Sequence, residues 1–166
     1  MRKVAVLLGS KSDEQVMAGC TDYLAKFGIP HDLRVSSAHR QPDETAAFVK
    51  KAEADGYAVI IAAAGMAAHL PGVIASMTSL PVIGVPIKAS LEGLDSLLAI
   101  VQMPPGIPVA TVAINGAQNA AILAAQILAT ADPVIHQKLL KFKEDLKSKI
   151  IKANEELAGV KFEYKV

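Results

Sequence analysis

Lys3-Val4-Ala5-Val6-Leu7-Leu8-Gly9-Ser10-Lys11-Ser12-Asp13 decides how the rest of the chain is read. An apolar run without alternation stops at a glycine and passes at once into helix-capping residues. A strand with one wet face alternates apolar and polar side chains, whereas a strand covered on both faces reads as continuous Val, Ala and Leu. The same pattern recurs at Ala58–Ala63, Pro81–Val85 and Pro108–Ile114, and a more polar run, His31–Ser36, suits a strand nearer an edge. Helical three-and-four spacing fills the intervals at Asp13–Phe27, Pro42–Asp55, Leu70–Thr78, Glu92–Val101 and Gln118–Thr130.

Strand and helix in alternation predict an α/β chain with a single three-layer, doubly wound parallel sheet, and the expected strand order is flavodoxin-like. Ligands of such sheets lie beyond the carboxyl ends of the strands, so the residues directly after each strand are the candidates for function. Pro133–Leu157 carries Leu139, Phe142, Leu146, Ile150, Ala153 and Leu157 on one helical face, a single long amphipathic helix. The expected division is a catalytic domain over 1–132 and a C-terminal helix and tail over 133–166. On pattern alone, that helix either packs on its own domain or clasps a neighbouring subunit.

The length of 166 residues fits one core. Apolar residues make up 52% against 20% charged, and the mean hydropathy is +0.35, so part of the surface is expected to be covered by further copies in a homo-oligomer. Seventeen Lys plus Arg balance sixteen Asp plus Glu, and three Tyr, four Phe and no Trp leave few stacking platforms; nucleic acid is not an expected partner, and a small molecule is. The lone Cys20 offers neither an internal disulfide nor a cysteine metal site, which fits a reducing cytoplasm. Met1-Arg2-Lys3 looks like the start of an export signal, but Val4–Leu8 is too short for its apolar core. The longest uncharged stretch, from Tyr57 up to Lys88, is broken by Gly65, Pro71-Gly72, Pro81, Gly84 and Pro86, so no membrane span is expected.

Three loops carry the candidate chemistry. Gly9-Ser10-Lys11-Ser12-Asp13 puts a glycine turn and two hydroxyls at a helix start, where free amides and the dipole favour a phosphate; an ordinary Ser/Asp cap reads the same way. It is neither a Walker A sequence nor a dinucleotide fingerprint. Ser36-Ser37-Ala38-His39-Arg40-Gln41-Pro42 follows the second strand, with Pro42 placed to open a helix. His39 there can give and take a proton near neutrality, and Arg40 can bind a phosphate with a bidentate fork. Ala62–Gly72 is made of small residues around Gly65, Met66, Ala68, His69 and Leu70, and His69 either bonds substrate, closes a lid or is satisfied by nearby carbonyls. Asp95-Ser96 and Gln102–Gly106 read as a cap and a turn, or as pocket lining. No Ser-His-Asp order, paired carboxylates or His-x-x-x-His spacing supports hydrolytic or metal chemistry.

Taken in order, Gly9-Ser10-x-Ser12-Asp13, Ser37-Ala38-His39-Arg40-x-Pro42, Ala67-Ala68-His69-Leu70-Pro71-Gly72, Leu80-Pro81-Val82-x-Gly84-Val85-Pro86 and Asp95-Ser96-Leu97-Leu98-x-Ile100-Val101-Gln102-Met103-Pro104 resemble the 5-(carboxyamino)imidazole ribonucleotide mutase family, the catalytic subunit of bacterial phosphoribosylaminoimidazole carboxylase. The match runs from about Val4 to Leu128. The resemblance implies a flavodoxin-like subunit, a homo-octamer joined by the C-terminal helix, a ribonucleotide substrate and no metal or organic cofactor. It implies His39 as the general acid/base, with Ser10, Ser12, Asp13, Ser37, Ala38 and Arg40 binding substrate and Gly65, Ala68, His69 and Leu70 bounding the carboxylate pocket. The chain departs from the family at Glu14, where an aromatic residue is usual, at Gln41 for Thr, at Met66 for Gly, and over Asn115–Gln118, about two residues shorter. An inward Met66 side chain would narrow the pocket.

Two rivals remain at this point. A direct carboxylase using free carbon dioxide resembles the chain but tends to carry Lys at the position of Arg40 and Ser-Asn near His69. A noncatalytic flavin- or nucleotide-binding module would share the fold and the anion loop, but would leave His39 without a role.

Overall fold

The computed structural model describes residues 2–160. Met1 and residues 161–166 of the expected tail lie outside the described residues. Five strands, β1 (Lys3–Leu8), β2 (His31–Val35), β3 (Tyr57–Gly65), β4 (Val82–Ile87) and β5 (Ala110–Thr111), form one sheet in the order β2-β1-β3-β4-β5, and every neighbouring pair is parallel. That is the flavodoxin-like order, with the switch point between β1 and β3. The helices are α1 (Glu14–Phe27), α2 (Pro42–Ala52), α3 (Leu70–Ala75), α4 (Leu94–Val101), α5 (Ala117–Ala129) and α6 (Pro133–Ala158).

The unalternating strands have a direct cause. Val4, Val6 and Leu8 of β1, with Val59, Ile61 and Ala63 of β3, turn to the face covered by α1, α5 and the start of α6. Ala5 and Leu7, with Ile60 and Ala62, turn to the other face under α2, α3 and α4. Each strand position is therefore dry on whichever side it points. Burial of each large side chain contributes about 1.5–3 kcal/mol, so a polar residue at any of these positions would oppose the layer it faces. The polar β2 lies at the edge, as its sequence requires, and Asp32 there accepts bonds from Tyr57 Oη at 2.6 Å and Lys3 Nζ at 3.0 Å. These two bonds hold its carboxyl below the usual carboxylate range.

Several element bounds differ from the sequence reading: α2 ends at Ala52 rather than Asp55, and β3 extends over Tyr57–Gly65. The run Pro108–Ile114 yields a strand of only two residues, because its pairing with β4 covers just Ile83 with Ala110 and Gly84 with Thr111. The fourth helix begins at Leu94 rather than Glu92, because Leu91, Glu92 and Gly93 all have left-handed backbone, with φ of 44°, 57° and 86°. Gly93 is the N-cap of this helix and no side chain caps it, so the cap reading of Asp95-Ser96 is corrected: Ser96, fully buried in the first turn, donates to the carbonyls of Ile87 and Gly93 and ties the helix start to the end of β4. The third helix stops at Ala75 rather than Thr78, and its last amides bond back within one turn, Ser76 N to Gly72 O and Met77 N to Ile74 O.

The long C-terminal helix behaves in two ways along its length. Asp132 caps it through the amides of Val134 and Ile135, with Pro133 in the first turn. Its first part packs on its own subunit: Ile135, Leu139 and Phe142 are buried, and Phe142 meets Phe27 and Tyr23 edge to face at 5.6 and 5.8 Å. Lys138 Nζ donates to Phe27 O at 2.7 Å, placing a cation on the carboxyl end of α1 where the dipole favours it. Beyond Phe142 every described residue of the helix is exposed, Leu146, Ile150 and Leu157 among them.

Candidate functional site

The loops after β1, β2, β3 and β4 converge at the carboxyl edge of the sheet around a cleft of about 510 Å³, a size that suits a mononucleotide. Its lining includes Ser10, Ser12, Asp13, Ser37, Ala38, His39, Arg40, Gly65, His69 and Leu70. Of the residues singled out in the sequence, only Ala68 is absent from this lining; it is buried among Leu70, Ile74 and the core under β3. Gly9, Ala64, Met66, Ala67 and Ala89 join the lining without having been singled out as binding residues. Ala89 had a usable signal, since it directly follows a strand, but its bare methyl group carries no chemistry of its own.

The first loop is pinned where β1 ends by Gly9 N donating to Ala63 O at 2.8 Å. Ser10 then forms a full capping box: its Oγ accepts from Ser12 N, and its own amide donates to Asp13 Oδ2 at 3.0 Å. The capping reading of this segment thus holds, and the Ser10 and Ser12 hydroxyls, 2.9 Å apart, also line the cleft. Burial pushes the Asp13 carboxyl up from its ordinary value, against the opposing pull of the bonds from Ser10 and Ser12. A buried carboxylate at a cleft is held at a disadvantage that a ligand hydroxyl or amine can relieve. Glu14, the departure next to it, pairs with Lys11 on the solvent side.

The second loop is a tight turn in which Gln41 N bonds Ser37 O at 2.8 Å and Pro42 opens α2. Arg40 uses it as a base: its backbone N and its Nε both donate to Ser37 Oγ at 3.3 Å, and Nη2 reaches Gly9 O at 3.4 Å. The guanidinium therefore spans from the second loop to the first, beside Ser10 and Ser12. An exposed cation, two hydroxyls and a helix start in one corner form an anion end.

The third loop brings His69 to His39. Nε2 of His39 and Nδ1 of His69 lie 2.8 Å apart in a hydrogen bond, with the rings nearly perpendicular at 81°. Gly65 sits where a Cβ would press on Ile87 O at 3.2 Å and Ala89 Cβ at 3.3 Å, so glycine lets the loops after β3 and β4 close together. Met66, the departure from Gly, holds a left-handed φ of 55°, which accounts for glycine as the more natural residue there. Its side chain is 59% exposed at the cleft rim, so it does not fill the pocket. Asn115, just before α5, is also left-handed and accepts from Lys88 N at 2.9 Å, bracing the loop that carries Ala89.

No group of three or more His, Cys, Asp or Glu side chains among the described residues is placed to hold a metal ion. No described helix is long and apolar enough to cross a membrane. Cys20 is buried on the core-facing side of α1 and does not line the cleft, and burial pushes its thiol up to about 12.

A family model described as AIR carboxylase matches residues 3–149. The chain is similar to proteins named N5-carboxyaminoimidazole ribonucleotide mutase: one from Pyrococcus horikoshii is 55% identical over 148 residues, covering 89% of this chain and 84% of that one. One from Escherichia coli K12 is 55% identical over 140 residues, covering 82% of this chain and 83% of that one. Among solved structures, Treponema denticola PurE superposes with a TM-score of 0.87 at 30% identity, covering 95% of this chain and 99% of that one.

Proposed function

This chain belongs to the AIR carboxylase family, and on that footing we propose that it is an isomerase of purine biosynthesis, a mutase that moves a carboxylate from the exocyclic nitrogen of 5-(carboxyamino)imidazole ribonucleotide to ring carbon 4. The observation that carries this reading is the convergence of motifs from separate loops on one cleft, with an anion end at Ser10, Ser12 and Arg40 and an imidazole pair in the same cleft. The relatives named for this reaction support it over the rivals, as do Arg40 and Ala68-His69 in place of Lys and Ser-Asn.

The chemistry needs one proton carrier. The carbamate C–N bond breaks, carbon dioxide leaves, and the nitrogen takes a proton from His39; the electron-rich carbon 4 then attacks the trapped gas, and His39 recovers the proton that leaves this carbon. The reaction is neutral in protons overall, and the aminoimidazole is its own nucleophile, so the reading requires no cofactor. Ser10, Ser12 and Arg40 hold the phosphate, Asp13 meets a ribose hydroxyl, and the loop of Gly65, His69 and Leu70 keeps carbon dioxide close. The test supplies 5-(carboxyamino)imidazole ribonucleotide or, separately, aminoimidazole ribonucleotide with bicarbonate. Rapid 4-carboxy product from the first alone supports the mutase, and efficient turnover of the second establishes the direct carboxylase.

Arg40→Lys is expected to raise KM by about 10–100-fold with a smaller change in turnover, because an ammonium cannot reproduce the fork between Ser37 and the first loop. Steady-state kinetics decide it. An unchanged KM with lower turnover would move Arg40 to the reacting centre.

The reading extends to a cytoplasmic homo-octamer. Its support is the apolar surface left bare on one subunit: Leu94, Leu98 and Val101 form one stripe along α4, with Leu91 exposed just before it, and Leu146, Ile150 and Leu157 form another on the distal half of α6. Ending the chain after Glu144 keeps Ile135, Leu139 and Phe142 in the core, so a folded but smaller assembly is expected by light scattering. An octamer that survives this cut would exclude the distal helix as the joint. Cutting at Lys138 is less clean, since Leu139 and Phe142 go with it.

A further inference from the structure

The bridge between His39 and His69 has a consequence for which nitrogen does the work. Each imidazole has two nitrogens, and the 2.8 Å bond occupies Nε2 of His39 and Nδ1 of His69. A hydrogen bond between two rings holds one proton, so one ring donates and the other accepts. His39 is then left with Nδ1 to exchange a proton with a ligand. The two residues stand thirty positions apart, on loops after different strands, and each loop is tied by backbone hydrogen bonds. His69 begins α3, with its amide bonded to Ala67 O at 2.8 Å and its carbonyl to Val73 N at 3.0 Å. His39 lies in the turn closed by Gln41 N on Ser37 O. What remains free at His39 is rotation of the side chain itself, which the bridge removes.

We propose that His69 is a positioning residue: its Nδ1 accepts the Nε2–H of His39 throughout the reaction, fixing the tautomer and orientation of that ring so that Nδ1 carries the proton to and from the substrate. The inference rests on the reading of His39 as the proton carrier. The balance is complete within one ring. When Nδ1 gives its proton to the departing nitrogen, Nε2 keeps its own and stays bonded to His69; Nδ1 then has a lone pair aimed to take the proton from carbon 4. No proton has to pass to His69. The logic is that of a base oriented by a third group, here with an uncharged ring in the role more often given to a carboxylate.

The test compares replacements that keep or remove the acceptor, on the full-length assembled protein, with 5-(carboxyamino)imidazole ribonucleotide as substrate. Asn places a carbonyl oxygen near the position of Nδ1, and Leu does not. His69→Leu is expected to lower turnover roughly 10–100-fold with KM within about threefold, and His69→Asn to stay within about fivefold of wild type. His69→Gly should recover activity when free imidazole is added, a rescue that a purely structural role would not give; it answers the same question if H69L fails to fold. Wild-type turnover in H69L, equal losses in H69L and H69N, or no recovery of H69G with imidazole would each overturn the proposal. His39→Asn, run in parallel, separates the two readings. If H39N is inactive and H69L is not, only the positioning role fails, whereas an active H39N removes the proton carrier and this inference with it.

Discussion

His39→Asn is expected to lower carboxyl transfer by 10⁴-fold or more while the fold and substrate binding survive. General acid/base groups typically contribute about 10²–10⁴-fold, and here one ring serves both half-reactions, so the loss falls at or past the upper end. Asn keeps the size and a hydrogen-bonding end, but exchanges no proton at neutral pH. Nothing in the core depends on the ring: His39 is exposed in the cleft, and the turn around it is held by Ser37, Arg40 and Gln41. The check is steady-state turnover of the purified variant, with calorimetric binding of 4-carboxy-5-aminoimidazole ribonucleotide as the control. Turnover within about tenfold of wild type, worth only ~1.4 kcal/mol, would place the proton elsewhere.

Gly84→Val is expected to cost a large share of the stability. A Cβ at Gly84 would overlap Ile100 Cγ2 and come within 2.9 Å of Val109 Cγ1, and Pro71 Cβ lies at 3.5 Å on the same side. The strand conformation there is ordinary, so the penalty is steric rather than backbone strain. Ile100 is fully buried and carries α4 onto β4, which leaves no slack in that layer. Overpacking of this kind costs about 1–3 kcal/mol, and the two methyl groups of Val take it to the top of that range. For a chain of this size that is a fall in Tm of roughly 6–12 °C, measured by thermal unfolding at fixed protein concentration because assembly also shifts Tm. A fall below about 2 °C would mean that α4 moves outward freely. Activity should fall as well, because α4 follows the loop that carries Ala89 to the cleft.

Much of this protein is legible from local sequence. Val4 to Leu8, Ala58 to Ala63 and Pro81 to Val85 announce strands covered on both sides, and β1, β3 and β4 are the inner strands that need such cover. Pro42, Asp132 and Pro133 mark helix starts where helices do start. These signals are local: they depend on neighbours two to four positions away, and the covalent chain places those neighbours automatically. For the same reason the loops to examine follow from the strand assignments, and ten of the eleven residues singled out line one cleft.

What the chain pattern could not contain is the meeting of groups far apart in sequence. Nothing near His39 or His69 states that their rings touch; that depends on β1 lying between β2 and β3 and on the register that lifts both loops to one height. Nor does apolarity limit β5 to two residues, because strand length depends on how far β4 runs alongside it. Ala68, read as a pocket residue, turns into the core, since only the path of the loop decides which side of it is wet. The amphipathic pattern of the last helix is continuous from Leu139 to Leu157, yet the subunit buries only its beginning. Periodicity states that a face must be covered, and the tertiary structure decides by what, because hydrophobic burial is non-directional and rewards any apolar partner within reach.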